Sequence, residues 1–178
     1  MANEILLHHC CVVCTPEVLK YFKQKFDKVI SLWFNPNIYP QEEFNKRLEA
    51  LKIFTEQERQ FVIIKTNFNS ALFDEIKDSC YDEFKRCSFC YTFRLKELAK
   101  EAKNNNIKYF STTLLASPYQ KHDIIKKIGE DISSEYKIEF VYKDFRPDYY
   151  TGKSEIFNRK LYMQKYCGCI FSLNQKRK

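Results

Sequence analysis

Short apolar segments alternate with amphipathic ones along this chain, and that alternation restricts its fold more than any other feature. The apolar segments are predicted to be strands, at 4–9, 29–34, 61–64, 109–115 and 138–142. Helices are predicted between and after them, at 16–26, 41–54, 70–77, 87–104, 122–133 and 154–164. Strands that alternate with helices favour a mainly parallel sheet in which the helices are crossover connections.

The length of 178 residues suits one domain with a sizeable core, and we predict a single α/β domain over residues 1–178. The predicted fold is a mainly parallel, five-stranded Rossmann-like sheet in the order 3-2-1-4-5, flanked by helices. Ligands of such sheets bind beyond the carboxyl ends of the strands, where the strand order reverses. The C-terminal segment is predicted to fold over that end.

Seven of the eight cysteines form three groups, namely Cys10-Cys11-Val12-Val13-Cys14, Cys87-x-x-Cys90 and Cys167-Gly168-Cys169. Grouping this tight predicts a shared metal or redox centre. The remaining Cys80 is predicted to be a small buried hydrophobic residue. Thr15 and Pro16 form a helix-start signal, so the first group occupies a strand-to-helix turn at the predicted ligand-binding end. His8 and His9 are candidate ligands there, although packing is the commoner role.

The sequence shows no export signal and no run near the ~20 apolar residues that span a bilayer. We therefore expect a cytoplasmic protein with no membrane partner, in a compartment where disulfide frameworks are uncommon. The net charge of +7 permits nucleic-acid binding without requiring it. The basic tail 175–178 either contacts phosphate or is a solvated end.

Thiolates from Cys10, Cys11, Cys87 and Cys90 can hold a [4Fe–4S] cluster or a tetrahedral zinc ion, and metal-free thiol chemistry is a third reading. The spacing favours iron–sulfur over zinc, because only one clean C-x-x-C is present. Cys87 and Cys90 are predicted to lie in a first helical turn, where free N–H groups favour thiolates.

Cys167 and Cys169 can close a strained, reducible disulfide, because Gly168 relaxes the backbone between them. Alternatively they are two further metal ligands, with Cys14, at a second site. A metal cluster together with a dithiol implies electron transfer to a substrate. The sequence has no nucleotide-binding glycine motif, so the electrons are expected from a separate donor protein.

An ordered set of short motifs spans nearly the whole chain. The motifs are His9-Cys10-Cys11-x-x-Cys14, Asn35-Pro36-Asn37-Ile38-Tyr39-Pro40, Arg86-Cys87-x-x-Cys90-Tyr91 with Arg94-Leu95, Thr112-Thr113-Leu114 with Ser117-Pro118-Tyr119-Gln120, Asp144-Phe145-Arg146, and Gln164-x-Tyr166-Cys167-Gly168-Cys169. Together they resemble the QueH family of epoxyqueuosine reductases. One departure is Leu161-Tyr162-Met163, where the family pattern has a second aromatic residue and an arginine, and it puts a local substrate or phosphate contact in doubt.

The resemblance implies an iron–sulfur reductase that converts epoxyqueuosine to queuosine in the wobble position of tRNA and releases the epoxide oxygen as water. Carried over by position, the [4Fe–4S] ligands are Cys10, Cys11, Cys87 and Cys90, and the redox-active pair is Cys167 and Cys169. Cys14 is a candidate ligand of a second, mononuclear iron. The implied substrate-binding residues are Asn35, Tyr39, Thr112, Thr113, Tyr119, Gln120 and Arg146.

Two points stay open. Tyr39 and Tyr119 are predicted on loops at the ligand-binding end, where each either stacks on the target base or packs in the protein. The proton donor is one of Tyr149, Tyr150, Asp144 and His9. The alternative function is a zinc-stabilised RNA-binding module without catalysis, which predicts a colourless protein that unfolds on chelation.

Overall fold

A single parallel sheet forms the centre of the protein. The computed structural model describes residues 3–66, 68–69 and 71–173. The strands are β1 (Glu4–His8), β2 (Lys28–Phe34), β3 (Val62–Lys65), β4 (Tyr109–Thr112) and β5 (Glu139–Phe140). They pair in the order β3-β2-β1-β4-β5, and every neighbouring pair is parallel. The predicted order 3-2-1-4-5 is confirmed.

Helices cover both faces of this sheet. They are α1 (Pro16–Lys25), α2 (Gln41–Gln57), α3 (Glu83–Asn104), α4 (His122–Tyr136) and α5 (Tyr149–Asn158). Because parallel crossovers are right-handed, α1 and α2 lie on one face and α3 and α4 on the other. Accordingly α3 packs on α4 and on β1, β2 and β4, whereas α1 packs on β2 and α5. None of the helices in the described residues is long and apolar enough to cross a bilayer.

Burial of β1 explains why its sequence is almost continuously apolar. Ile5, Leu6 and Leu7 are completely buried, as a central strand covered on both faces requires. On β2, Trp33 faces α2 and meets the Phe44 ring edge to face, with the ring centroids 5.6 Å apart. Because β1 pairs with β2 on one side and β4 on the other, its carboxyl end lies at the middle of the sheet. The cysteine turn begins there.

The predicted start of α1 is confirmed, but Thr15 acts differently from an ordinary helix cap. Pro16 is the first helical residue and Thr15 the N-cap, yet its side chain accepts no bond from the helix. Instead the Thr15 hydroxyl donates to the carbonyl oxygen of Cys11 (2.9 Å) and contacts Nδ1 of His9 (3.0 Å). Thr15 therefore braces the cysteine turn against the end of β1.

Several predicted boundaries were wrong. The strand predicted at 109–115 ends at Thr112, and Thr113–Ala116 is a short 3₁₀ helix, because the Thr112 hydroxyl accepts from the Leu114 N–H (3.2 Å) and turns the chain. The helix predicted at 154–164 begins earlier, as α5, directly after the 3₁₀ turn Arg146–Asp148. The segment predicted as a helix at 70–77 is a 3₁₀ helix at Leu72–Tyr81, residue 70 lying outside the described residues. The predicted strand at 138–142 keeps two residues.

Two helical glycines give a matched stability test. A Cβ built at Gly129 lies 2.3 Å from ring carbons of Phe140, whereas at Gly152 the nearest atom is 3.4 Å away. Gly129→Ala should therefore destabilise the protein by about 1–3 kcal/mol through overpacking. Gly152→Ala should be neutral or stabilising by up to about 1 kcal/mol, because alanine favours a helix. Urea unfolding of both variants measures the difference, and equal midpoints would contradict the close contact.

Candidate metal and redox centre

Three cysteines converge in the turn between β1 and α1. The Sγ atoms of Cys10, Cys11 and Cys14 all lie within 4.8 Å of one another, and all three residues are buried. Those of Cys10 and Cys11 are 3.7 Å apart. Sulfurs bonded to one tetrahedral metal at ~2.3 Å lie ~3.8 Å from each other. This triad can therefore hold a metal ion.

Protons are unevenly shared within the triad. Hydrogen bonds from the other two thiols, that of Cys11 first, lower the pKa of Cys10, with a further contribution from Arg94. The same hydrogen bonding raises the pKa of Cys11 to about 12 and also raises the pKa of Cys14. Cys10 is therefore the most acidic thiol of the triad, and a bound metal would deprotonate the other two.

The other grouped cysteines line a neighbouring, larger cavity. This cavity of about 180 Å³ is bordered by Cys87 and Cys90 of α3 and by Cys167 and Cys169. A smaller cavity of about 30 Å³ borders the triad. Residues shared by both cavities are Arg94, Tyr119, Gln120, Tyr166 and Cys167. The two cavities therefore adjoin at the carboxyl end of the sheet, and the predicted ligand set Cys10, Cys11, Cys87 and Cys90 is divided between them.

The predicted position of Cys87 and Cys90 in a first helical turn is wrong. Helix α3 begins at Glu83, and its N-cap Asp82 already accepts from the Lys85 N–H at 3.0 Å. Both cysteines lie beyond that turn, away from the free N–H groups. Burial raises the pKa of Cys87 to about 11 and also raises the pKa of Cys90. A bound metal cation would supply the positive charge that the helix end does not.

A buried arginine lies between the two cavities. The Arg94 guanidinium donates to Oδ1 of Asn35 (2.6 Å) and lies 3.8 Å from the Sγ of Cys90. Asn35 in turn donates to the His9 carbonyl oxygen (2.8 Å) and faces Nε2 of His8 (3.2 Å). This network joins the end of β1 to α3 and places a permanent positive charge beside the thiols.

Three of the predicted substrate-binding residues lie inside the protein. Asn35, Thr112 and Thr113 are completely buried, and none of them lines either cavity. The Thr113 hydroxyl accepts from the Cys10 N–H (3.0 Å) and lies 3.2 Å from its Sγ. Thr112 bonds the ring of His8 at 2.9 Å. These side chains hold the cysteine turn, and their contact with substrate stays a prediction.

The side chains of His8 and His9 are also buried and hydrogen-bonded inside the protein. Burial lowers the pKa of His8 to about 3 and that of His9 to about 4, so both are neutral. Both ring nitrogens of His9 are within hydrogen-bond distance of hydroxyls, Nδ1 of Thr15 at 3.0 Å and Nε2 of Ser31 at 2.8 Å. The rings therefore pack at the end of β1 and orient it, which is the commoner of the two roles considered in the sequence analysis.

Among the remaining predicted contacts, Tyr119 and Gln120 line both cavities. Tyr39 and Arg146 are not among the lining residues, and Arg146 is paired with Asp144 at 2.5 Å. The lone Cys80 is buried beside Phe73, as predicted. The predicted role of the tail 175–178 lies outside the described residues.

The predicted folding of the C-terminal segment over the site is confirmed, and Arg47 of α2 anchors it. Arg47 donates to the carbonyl oxygens of Tyr166 (3.0 Å) and Cys167 (3.1 Å). Its charge is balanced by Glu43, whose Oε1 lies 2.6 Å from the arginine Nε, and both side chains are buried. Gln164 reaches the Sγ of Cys11 at 2.8 Å. The sequence analysis missed Arg47 and Glu43, although both fall on the buried side of α2.

Cys167 and Cys169 differ in exposure and acidity. A hydrogen bond from Cys169 and one with Ser172 (2.8 Å) lower the pKa of Cys167 to about 5, despite desolvation. The same bond to Cys167, together with burial, raises the pKa of Cys169. Gly168 between them has a φ of 107°, a conformation that favours glycine. The pair therefore holds one exposed thiolate and one buried thiol at neutral pH.

This difference predicts selective alkylation of the metal-free protein. Iodoacetamide at pH 7 should modify Cys167 well before Cys169, because the thiolate is the nucleophile. The rate at Cys167 should fall as the pH drops through about 5, where its thiolate is protonated. Peptide mapping by mass spectrometry measures both rates, and preferential labelling of Cys169 would contradict the assignment.

Comparison with known proteins identifies the family. The family model described as "QueH: Epoxyqueuosine reductase QueH" matches residues 5–175. The chain belongs to the QueH family. It is 33% identical to Epoxyqueuosine reductase QueH of Dehalococcoides mccartyi over 172 residues, which cover 97% of this chain and 93% of the relative. The QueH of Thermotoga maritima is 32% identical, with 98% and 93% covered.

Membership of QueH confirms the predicted resemblance and makes the chain an oxidoreductase of queuosine biosynthesis. A search of solved structures also finds the U34-tRNA thiolase NcsA from Methanococcus maripaludis with its [4Fe-4S] cluster. That likeness has a TM-score of 0.48 at 12% identity and covers 100% of this chain and 80% of the thiolase. It is too distant to carry an argument about this site.

Proposed function

We propose that this QueH protein is an iron–sulfur-dependent reductase that converts epoxyqueuosine to queuosine at the wobble position of tRNA. One observation carries the proposal: all seven grouped cysteines border two adjoining cavities at the carboxyl end of the sheet. Relatives at about this length are named for that reaction. Structural thiols scattered through a core would not converge in this way.

We assign the cluster to Cys10, Cys11, Cys87 and Cys90. The donor set suits iron–sulfur, because soft thiolates select such clusters or zinc. Arg94 borders both cavities and offsets the negative charge that ionised thiols would bring into a buried site. A [4Fe–4S] cluster held there would pass electrons one at a time. Cys14, which completes the triad, is the candidate ligand of a second, mononuclear iron.

Cys167 and Cys169 supply the two-electron step. Opening the epoxide to an alkene consumes two electrons and two protons and releases water. Closing the Cys167 thiolate and the Cys169 thiol to a disulfide delivers both electrons and one proton, and the second proton comes from water or from one of the candidate proton donors. The Cys167 thiolate borders both cavities and Cys169 holds a proton beside it. An external donor protein then reduces the disulfide again. Gly168 allows the backbone to bring the sulfurs together.

On the substrate side, we propose that an unstacked base of the anticodon loop enters the larger cavity while phosphate contacts position the RNA. Tyr119 and Gln120 line that cavity and are the predicted contacts best placed to meet the base. Asn35, Thr112 and Thr113 act through the cysteine turn that they hold. Tyr39 and Arg146 contact the RNA outside the cavity.

The second candidate, a zinc-stabilised RNA-binding module, is favoured by one distance. The 3.7 Å between the Sγ atoms of Cys10 and Cys11 suits a single tetrahedral ion. Such a protein is colourless, binds one zinc ion and unfolds when chelators remove it.

Purification without oxygen, followed by iron, zinc and sulfide analysis, separates the two candidates. The reductase should be brown, with about four iron and four sulfide per chain, and should convert epoxyqueuosine in tRNA when given a chemical reductant. Iron above four would indicate the mononuclear site. A colourless protein with stoichiometric zinc, unable to take up a cluster, would leave the RNA-binding module.

A further inference from the structure

Tyr119 lines the larger cavity, and two further exposed rings, Tyr81 and Phe84, lie close in sequence to its lining residue Glu83. The proposed chemistry uses only Tyr119. Tyr81 is 76% exposed, Phe84 61% and Tyr119 48%. We call these three residues the aromatic rim. Large rings left in water beside a cavity commonly mark an interaction site. Tyr119 already has a predicted contact with the target base, but Tyr81 and Phe84 have no role in the reduction.

Both remaining rings belong to elements that contribute residues to the cavity wall, Tyr81 to the 3₁₀ helix Leu72–Tyr81 and Phe84 to α3. Phe84 precedes Cys87 by three positions in α3, so the two side chains share one face of the helix, and Cys87 lines the cavity. The Tyr81 ring packs edge to face on the Phe171 ring, with the centroids 5.7 Å apart. The Phe171 ring packs in turn on Phe73 at 5.6 Å, and Phe73 lines the cavity. The rim is therefore continuous with the cavity wall.

Cationic side chains lie near the cavity as well. Arg86 and Lys121 line the cavity, and Lys85 is exposed on the first turn of α3. The guanidinium of Arg86 stacks over the Phe171 ring at 4.9 Å. Arg86 is buried, and Lys121 is paired with Glu83 at 2.9 Å, so the exposed Lys85 is the cation best placed to meet a phosphate. Stacking rings interleaved with cations are how proteins bind single-stranded nucleic acid.

We propose that the aromatic rim stacks on the unpaired bases next to the target base. The ligand of this face is therefore the single-stranded RNA loop, not the modified nucleoside alone. When the target base leaves the stack, each neighbouring base loses a stacking partner. The Phe84 and Tyr81 rings replace the lost partners. The inference rests on the proposed function, because it takes the larger cavity as the place where the base enters.

Binding of an unmodified anticodon stem-loop RNA to the intact, metal-loaded protein tests the inference without any turnover. Phe84→Ala and Tyr81→Ala should each weaken binding about tenfold, as loss of one stacked base predicts. Phe84→Trp should bind as tightly as the unaltered protein, because it keeps a ring. Affinity for a fully paired RNA duplex should not change in any variant. Fluorescence anisotropy at fixed salt measures all of these constants.

Phe61→Ala is the matched control. Phe61 is 70% exposed and directly precedes β3, so it lies at the amino end of the strands, opposite the cysteines. Its variant should bind the stem-loop unchanged, and an equal loss there would overturn the inference by showing that any exposed ring contributes.

Other outcomes separate this inference from the proposed function. Unchanged stem-loop binding in the two rim variants, with a raised KM for the donor protein or an altered oligomeric state, would overturn it in favour of a protein interface. Weakened stem-loop binding in a protein that cannot reduce epoxyqueuosine would support it while the proposed function fails. Full reduction of tRNA with unchanged binding by the rim variants would overturn the inference alone.

Discussion

Cys87→Ala should lose the brown colour and the reductase activity together, whereas Cys169→Ala should keep the colour and lose turnover. Cys87 is a proposed cluster ligand on α3, so its removal leaves one iron atom of the proposed cluster without its thiolate ligand. Cys169 is the proposed second thiol of the redox pair, and without it no disulfide can form. Iron and sulfide content, the visible spectrum and the yield of queuosine in tRNA measure both effects. Activity should fall to background in each variant.

Cys80→Ala is the control for both variants. Cys80 is also buried, at 7% exposure, but it belongs to none of the three groups. Its variant should keep iron content and turnover. A fully active Cys169→Ala would show that the dithiol role is wrong, and a Cys87→Ala protein with its full cluster would remove Cys87 from the ligand set.

Arg47→Met should lower the free energy of unfolding by about 3–5 kcal/mol, because it leaves the buried Glu43 carboxylate without its cation. The carbonyl oxygens of Tyr166 and Cys167 lose their donors in the same substitution. Among the residues that the structure describes, Glu43 then keeps the hydroxyl of Tyr162, at 2.5 Å, as its hydrogen-bond donor. Urea unfolding measures the loss, and the same variant should release the segment that carries Cys167 and so reduce turnover.

Lys46→Met is the matched control on the same helix. Lys46 pairs with Glu42 at 2.5 Å and with the same spacing of four residues, but both side chains are exposed. Exposed pairs contribute little, so its unfolding midpoint should stay nearly unchanged. The double variant Glu43→Gln with Arg47→Met should recover part of the loss, because it removes the unpaired charge. An Arg47→Met protein as stable as the unaltered one would contradict the buried pair.

Much of the fold was predictable because the physical signals are local. The buried run at Ile5–Leu7 and the signal at Thr15 and Pro16 predicted a central strand and the cysteine turn. The order 3-2-1-4-5 came from the usual arrangement of alternating α/β folds and not from a local signal. The start of α3 was predicted wrongly because the prediction did not use Asp82 and Glu83, which form a helix-start signal. It places Cys87 beyond the first turn. The end of β4 was harder to predict, because threonine is common in strands but its hydroxyl can also accept a backbone N–H and start a turn. Thr112 does so here.

The site was predictable in its cysteines but not in the residues that hold them. Glu43 with Arg47 and Glu42 with Lys46 have the same spacing on the same helix, yet only the first pair is buried. The two pairs differ in their tertiary contacts, because carbonyl groups of the C-terminal segment lie against Arg47. No local pattern contains that information. The alignment of Arg47 with Ala50 and Phe54 on the inner stripe of α2 indicates that Arg47 is buried, but not which groups it contacts.

The reach of Gln164 to Cys11 has a consequence for how the protein is made. These residues are 153 positions apart, and Arg47 binds a carbonyl 120 positions away. We expect contacts of such separation to form late, because the chain must close a long loop first. Until then the thiols of all three groups are open to oxygen and to one another. We therefore expect protection from oxygen to matter most during synthesis and folding.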